Sequence, residues 1–157
     1  MTLGSEIHLQ PAAVPPASRF AAIETRIDAI GSGTEPDAAP RAVAELLQLG
    51  EEILEIWVCA RGQEPTYDTK EGFRLLALHR QGARGEPSFN ACRETARELV
   101  YHYNLVLSEP AHPETSRRLQ LTAMVAKHLC LFVSGKMQVA GLGEFCCAAK
   151  PLRGGGE

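Results

Sequence analysis

The sequence predicts an all-α fold, a bundle of about five helices whose core is an antiparallel C-terminal hairpin formed by residues 88–107 and 113–134. Three observations predict it. Apolar side chains recur at three- and four-residue spacing through most of the chain. Clusters of Gly and Pro separate these segments. The stretch 113–134, PETSRRLQLTAMVAKHLCLFVS, is apolar around most of its circumference, its polar positions Ser116, Gln120, Lys127 and Ser134 falling in one narrow stripe. A helix of that kind is a central, mostly covered one.

Taken in order, residues 1–16 contain Pro11, Pro15 and Pro16 among small residues and are expected to form a flexible arm. Phe20, Ile23, Ile27 and Ile30 define a first amphipathic helix over 17–30, with Gly31 placed to end it in the left-handed conformation. After the turn-rich GSGTEPDAAP, Asp37 is placed to cap a long helix running to about Arg61, and Pro40 suits its first turn. Val43, Leu46, Leu47, Ile53, Leu54 and Trp57 share one face around Gly50, which suggests close approach of a neighbouring backbone. Leu49 and Ile56 widen the apolar arc to roughly 200°, beyond the ~100° that one packing face requires, so two neighbours are expected, from this chain or with one from another copy. Glu45, Glu52 and Glu55 read as a solvated face.

A shorter helix is expected from Asp68 or Thr69 to Gly82, then, after QGARGEP, a clearly amphipathic one capped by Ser88 and carrying Phe89, Cys92, Ala96, Leu99, Val100, Tyr103, Val106 and Leu107 on one face. Pro110 and Pro113 separate it from the central helix, and Gly135, Gly141 and Gly143 suggest a further short helix, 136–148, kinked near Gly141. Residues 17–149 thus make one domain and 150–157 a flexible tail.

Composition is moderate, with a net charge of −3 and 45% hydrophobic residues, which points to neither nucleic acid nor an acidic lipid surface. Charge is unevenly spread. Residues 1–60 carry three Arg against nine acids and residues 61–97 seven Lys and Arg against five acids, an asymmetry suited to complementary helix faces within the bundle. Helix, glycine turn and helix over Arg74 to Arg97 follow the order of a DNA-reading helix-turn-helix. Here the connection is longer, and Glu94 and Glu98 stand beside Arg93 and Arg97, so nucleic acid is not an expected partner. No basic leader or membrane-length apolar run is present, and the five cysteines show no CxxC spacing, which predicts a cytoplasmic protein with free, largely buried thiols.

No motif pairs a nucleophile with its base, and no cofactor or metal-ligand set is expected. Glu94, Glu98 and His102 lie four apart on one helix side with Tyr101 adjacent, so a carboxylate is placed to orient the imidazole. His128 projects between Leu121, Met124 and Phe132; if buried it needs a partner such as Glu98, Tyr101 or Tyr103. Two functions follow. The first is a regulatory or adaptor protein acting through protein contacts as a homo-oligomer, its interface formed by Leu49, Ile56, Met124 and Leu131. The alternative is a ligand- or metal-binding bundle, with an enzyme as one form of it, in which His102, His128, Tyr103 and Glu98 line a site between the two C-terminal helices.

Overall fold

A computed structural model describes residues 14–33 and 35–142. Among them are five α-helices: α1 (Pro16–Gly31), α2 (Ala39–Ala60), α3 (Arg74–Ala83), α4 (Arg93–Ser108) and α5 (Thr115–Ala140). Short 3-10 segments, Pro36–Ala38 and Pro87–Cys92, lead into α2 and α4. Helices pack on helices, as an all-α bundle requires, and no described helix is long and apolar enough to cross a membrane.

One core cluster runs from Phe20 to Met137 and draws on every helix. Cross-helix contacts set the directions. Arg19 reaches Glu52 and Arg26 reaches Glu45, so α1 runs antiparallel to α2. Lys127 meets Asp28 at 3.0 Å while Cys130 Sγ lies 3.8 Å from Phe20 O, so α1 is also antiparallel to α5. Phe89 packs on Phe132, and Glu109 accepts from Arg118, which makes 93–108 and 115–140 the expected antiparallel hairpin.

Several boundaries differ from expectation. Gly31 stays helical, and α1 stops at Ser32, whose N–H donates to Asp28 O at 3.0 Å. Asp37 belongs to the 3-10 segment and makes no cap hydrogen bond to α2, although Pro40 does occupy the first turn. Neither Asp68 nor Thr69 starts α3. Glu71 and Gly72 both take positive φ, 55° and 86°, in the turn that pairs Lys70 with Phe73, and helix cannot begin until that turn is complete. The predicted break after Ser134 is absent: α5 continues through Gly135 to Ala140. A mid-helix glycine costs about 1 kcal/mol. Full burial of Met137 contributes about 1.5–3 kcal/mol, so continuation wins. Gly141, at φ 71°, closes the helix with Leu142 N–H donating to Met137 O at 2.9 Å, the Schellman pattern. The parts of the predicted arm before residue 14, and the predicted 143–148 continuation and tail, lie outside the described residues.

The apolar excess on α2 has a local explanation. This helix packs against α1, α3, α4 and α5 of its own chain, and Ile56 is only 2% exposed, so the expected interface role of Ile56 is corrected. Gly50 faces side chains rather than a backbone: a Cβ there would lie 2.7 Å from Leu99 Cδ2 and 3.1 Å from Leu75 Cδ1. The acidic face is not simply solvated either. Glu45 and Glu52 hold Arg26 and Arg19 of α1, and Arg74 of α3 lies between Glu51 and Glu55. Cys92 and Cys130 are buried free thiols that burial pushes up to about 12, whereas Cys59 is exposed; Cys146 and Cys147 lie outside the described residues.

Candidate functional site: a basic cleft between α3 and α4

The residues between Trp57 and Arg97 build a site that residue spacing alone did not reveal. Phe89 and Cys92, three apart, are both buried, and a 3-10 turn with its three-residue repeat puts them on the same side. That is why α4 begins at Arg93 and not at Ser88. Ser88 caps nothing; its hydroxyl donates to Glu86, which also accepts from Lys136 at 3.2 Å, tying the turn to α5. Phe89 then stacks flat on Trp57, ring centroids 4.6 Å apart, and also stacks with His79 at 5.4 Å.

Two polar contacts lock this stack. Trp57 Nε1–H donates to Gly82 O at 2.9 Å, and Arg61, whose guanidinium lies over the Trp57 ring, donates to the same carbonyl. A Cβ at Gly82 would sit 2.8 Å from Trp57 Cδ1, so only glycine lets the end of α3 rest on the indole. His79 is 5% exposed and its Nε2 is 3.1 Å from Phe89 O. A carbonyl only accepts, so Nε2 carries the proton and Nδ1 holds the lone pair in the neutral ring. Burial pushes the imidazole below its usual range; the Phe89 carbonyl opposes that, while the Arg93 and Lys70 charges add to it.

This depression has a measurable consequence. Above about pH 6.5 both folded and unfolded imidazoles are neutral and the contribution of His79 to stability is full. As pH falls below that value the unfolded ring takes up a proton that the folded ring resists, so stability declines until the folded ring also titrates. Urea midpoints are expected to drop between about pH 7.5 and pH 5.5, and to drop less in His79→Gln. An equal drop in the variant would show that His79 titrates the same way in both states.

The turn positions α3 against α4 so that a cleft of about 470 Å³ opens between them. Lys70, Arg80, Arg84, Arg93 and Arg97 line it, five cationic side chains, with His79 and Asn90 and no carboxylate. Arg97 is held by Glu71 at 2.8 Å. Lys70, Arg80, Arg84 and Arg93 make no ion pair among the described residues, as is also true of Arg41, Arg61 and Arg117; what sets the four apart is that they line one concavity. Like charges four residues apart, as in Arg93 and Arg97 on α4, are unfavourable by a few tenths of a kcal/mol on a helix. A fold that leaves this many guanidinium groups uncompensated around one concavity concentrates positive potential there.

A second cleft, about 360 Å³, adjoins the first. Leu76 and Arg97 belong to both, and the new walls are Glu71, Glu94, Glu98, Val100 and Tyr101.

The site residues expected from sequence are distributed differently. Glu98 is exposed and lines the second cleft. His102 is half-buried edge-on to Tyr101 at 5.2 Å, its Nδ1 has no hydrogen-bond partner among the described residues, and no hydrogen bond joins it to Glu98. Tyr103 packs into the core edge-on to Phe73 at 5.8 Å. His128 is exposed, which removes the expected need for a buried partner. The structure therefore does not gather His102, His128 and Tyr103 around any of the described clefts, and no group of three or more His, Cys, Asp or Glu able to hold a metal occurs among the described residues. Of the expected interface residues, Leu49 is half-buried in a groove between α1 and α2, whereas Met124 and Leu131 are 55% and 48% exposed. The signal that could have found the basic cleft was the charge asymmetry of residues 61–97, together with cations at four-residue spacing, Arg80 with Arg84 and Arg93 with Arg97.

Comparison with protein families, curated proteins and solved structures finds no match to this chain. Function is accordingly argued from the site itself.

Proposed function

We propose that this protein is a binding protein that captures a small phosphate-bearing molecule in the cleft between α3 and α4. One observation carries the reading: five cationic side chains converge on a concavity that no carboxylate lines, and four of them have no ion-pair partner among the described residues. Guanidinium groups match phosphate oxygens with paired, charge-assisted hydrogen bonds. The volume is that of a small-molecule site.

Inorganic pyrophosphate is the direct probe, titrated calorimetrically into the full-length protein. Binding is expected at low salt and should weaken markedly when ionic strength rises from about 0.01 M to about 0.15 M, as the Debye length falls from about 30 to about 8 Å. Absence of heat at low salt would refute the reading.

A second reading is a regulatory or adaptor role through self-association. It is supported by the outer row of α5, where Met124 and Leu131 stand exposed at seven-residue spacing with exposed His128 between them and Val139, 85% exposed, further along. Leu131→Lys is expected to shift a dimer to monomer in gel filtration with light scattering. A wild-type protein that is monomeric at every concentration removes this role. Either reading suits a cytoplasmic protein, the free thiols of Cys59, Cys92 and Cys130 being stable in a reducing compartment.

A further inference from the structure

The two adjoining clefts differ in chemistry, and α4 orders them along one line. Arg93, Arg97 and Tyr101 follow one another at four-residue steps, so they stand in one row along the helix. The rise from Arg93 to Tyr101 is about 12 Å at 1.5 Å per residue, comparable to an extended mononucleotide. At the Arg93 end the walls are cationic. At the Tyr101 end Leu76, shared with the first cleft, and Val100 supply an apolar floor, Tyr101 is 61% exposed, and the carboxylate of Glu98 stands three residues before it on the same side of the helix, while Glu94 lies at the Arg93 end. Arg97, fixed by Glu71, marks the junction.

We infer that the ligand is a free nucleoside phosphate whose base carries an exocyclic amine. Its phosphates lie among Arg80, Arg84 and Arg93, its base lies against Tyr101, and the amine donates to Glu98. The inference rests on the phosphate-binding reading above and adds the second cleft to it. An exposed aromatic ring beside an apolar floor offers a stacking surface for a planar base. A carboxylate accepts two N–H hydrogen bonds and has none to give, so it favours an amine over a carbonyl edge.

The test compares inorganic pyrophosphate, ADP, UDP and a short single-stranded oligonucleotide by calorimetry on the full-length protein. ADP is expected to bind at least about tenfold more tightly than pyrophosphate, the gain that one stacked base provides. Tyr101→Ala should abolish that advantage and leave pyrophosphate affinity within about twofold, since this side chain is exposed and lies outside the basic cleft. Glu98→Gln should narrow the preference for ADP over UDP, and an undiminished preference would overturn the assignment of the exocyclic amine. If pyrophosphate binds and ADP binds no better, or if the advantage survives Tyr101→Ala, the nucleotide inference fails and phosphate binding stands. If neither ligand binds, both fail together. An oligonucleotide that outcompetes ADP overturns the assignment to a free nucleotide.

Discussion

Replacing Arg80 and Arg93 together with glutamine is expected to eliminate pyrophosphate binding while the protein remains folded. Hydrogen bonds to charged groups are worth about 1.5–3 kcal/mol each, so losing two amounts to about 3–6 kcal/mol. At 1.4 kcal/mol per decade, affinity falls on the order of 10²- to 10⁴-fold. Stability moves little, because neither arginine has an ion pair to lose among the described residues, and the repulsion between Arg93 and Arg97 is relieved. Arg74→Gln provides the contrast. Its guanidinium is held by Glu51 and Glu55 and its Nε donates to Thr66 O at 2.8 Å, so this substitution should lower the urea midpoint and leave pyrophosphate affinity unchanged. A double variant that binds within tenfold of wild type would place the phosphate site elsewhere.

Phe89→Ala should destabilise the protein by about 3–5 kcal/mol, the range for removing a buried aromatic side chain. Phe89 is 0% exposed and touches rings on three sides, Trp57, His79 and Phe132, which belong to α2, α3 and α5. Its removal opens a cavity where three helices meet, and rigid neighbouring rings collapse poorly into such a space. Against a total stability of about 5–15 kcal/mol for a domain this is a large share. Urea unfolding followed by circular dichroism measures it, and Phe89→Leu should recover more than half of the loss. A cost below about 1 kcal/mol for the alanine variant would show that the stack does not hold α3 against α4.

Phe89, His79 and His128 illustrate how unevenly the fold was written in the chain. Phe89 was visible as a core residue because its apolar neighbours Cys92, Ala96 and Leu99 recur at helical spacing, and all are buried as expected. Its stacking partners were not visible, since Trp57 and His79 lie on other elements and meet it only through the 3-10 turn. His79 itself drew no notice: five residues from Arg84 and in a segment with scattered apolar positions, it carries no periodic mark. His128 misled in the opposite direction, because an apolar sequence neighbourhood suggested burial while α5 in fact turns that row to solvent, Met124 and Leu131 with it.

What the amino-acid order determined alone is the all-α class, most of the helices with most of their buried faces, and the C-terminal hairpin, since each depends on spacing within a single element and on short connections between neighbours. Tertiary structure alone decided that α2 finds its covering inside one chain, and that Lys70, Arg80, Arg84, Arg93 and Arg97 meet around one space. The reason is physical. Periodicity records which side of a helix avoids water, whereas a cleft is defined by the crossing of two helices and the turn that holds them, and that crossing is set by packing among residues far apart in the chain.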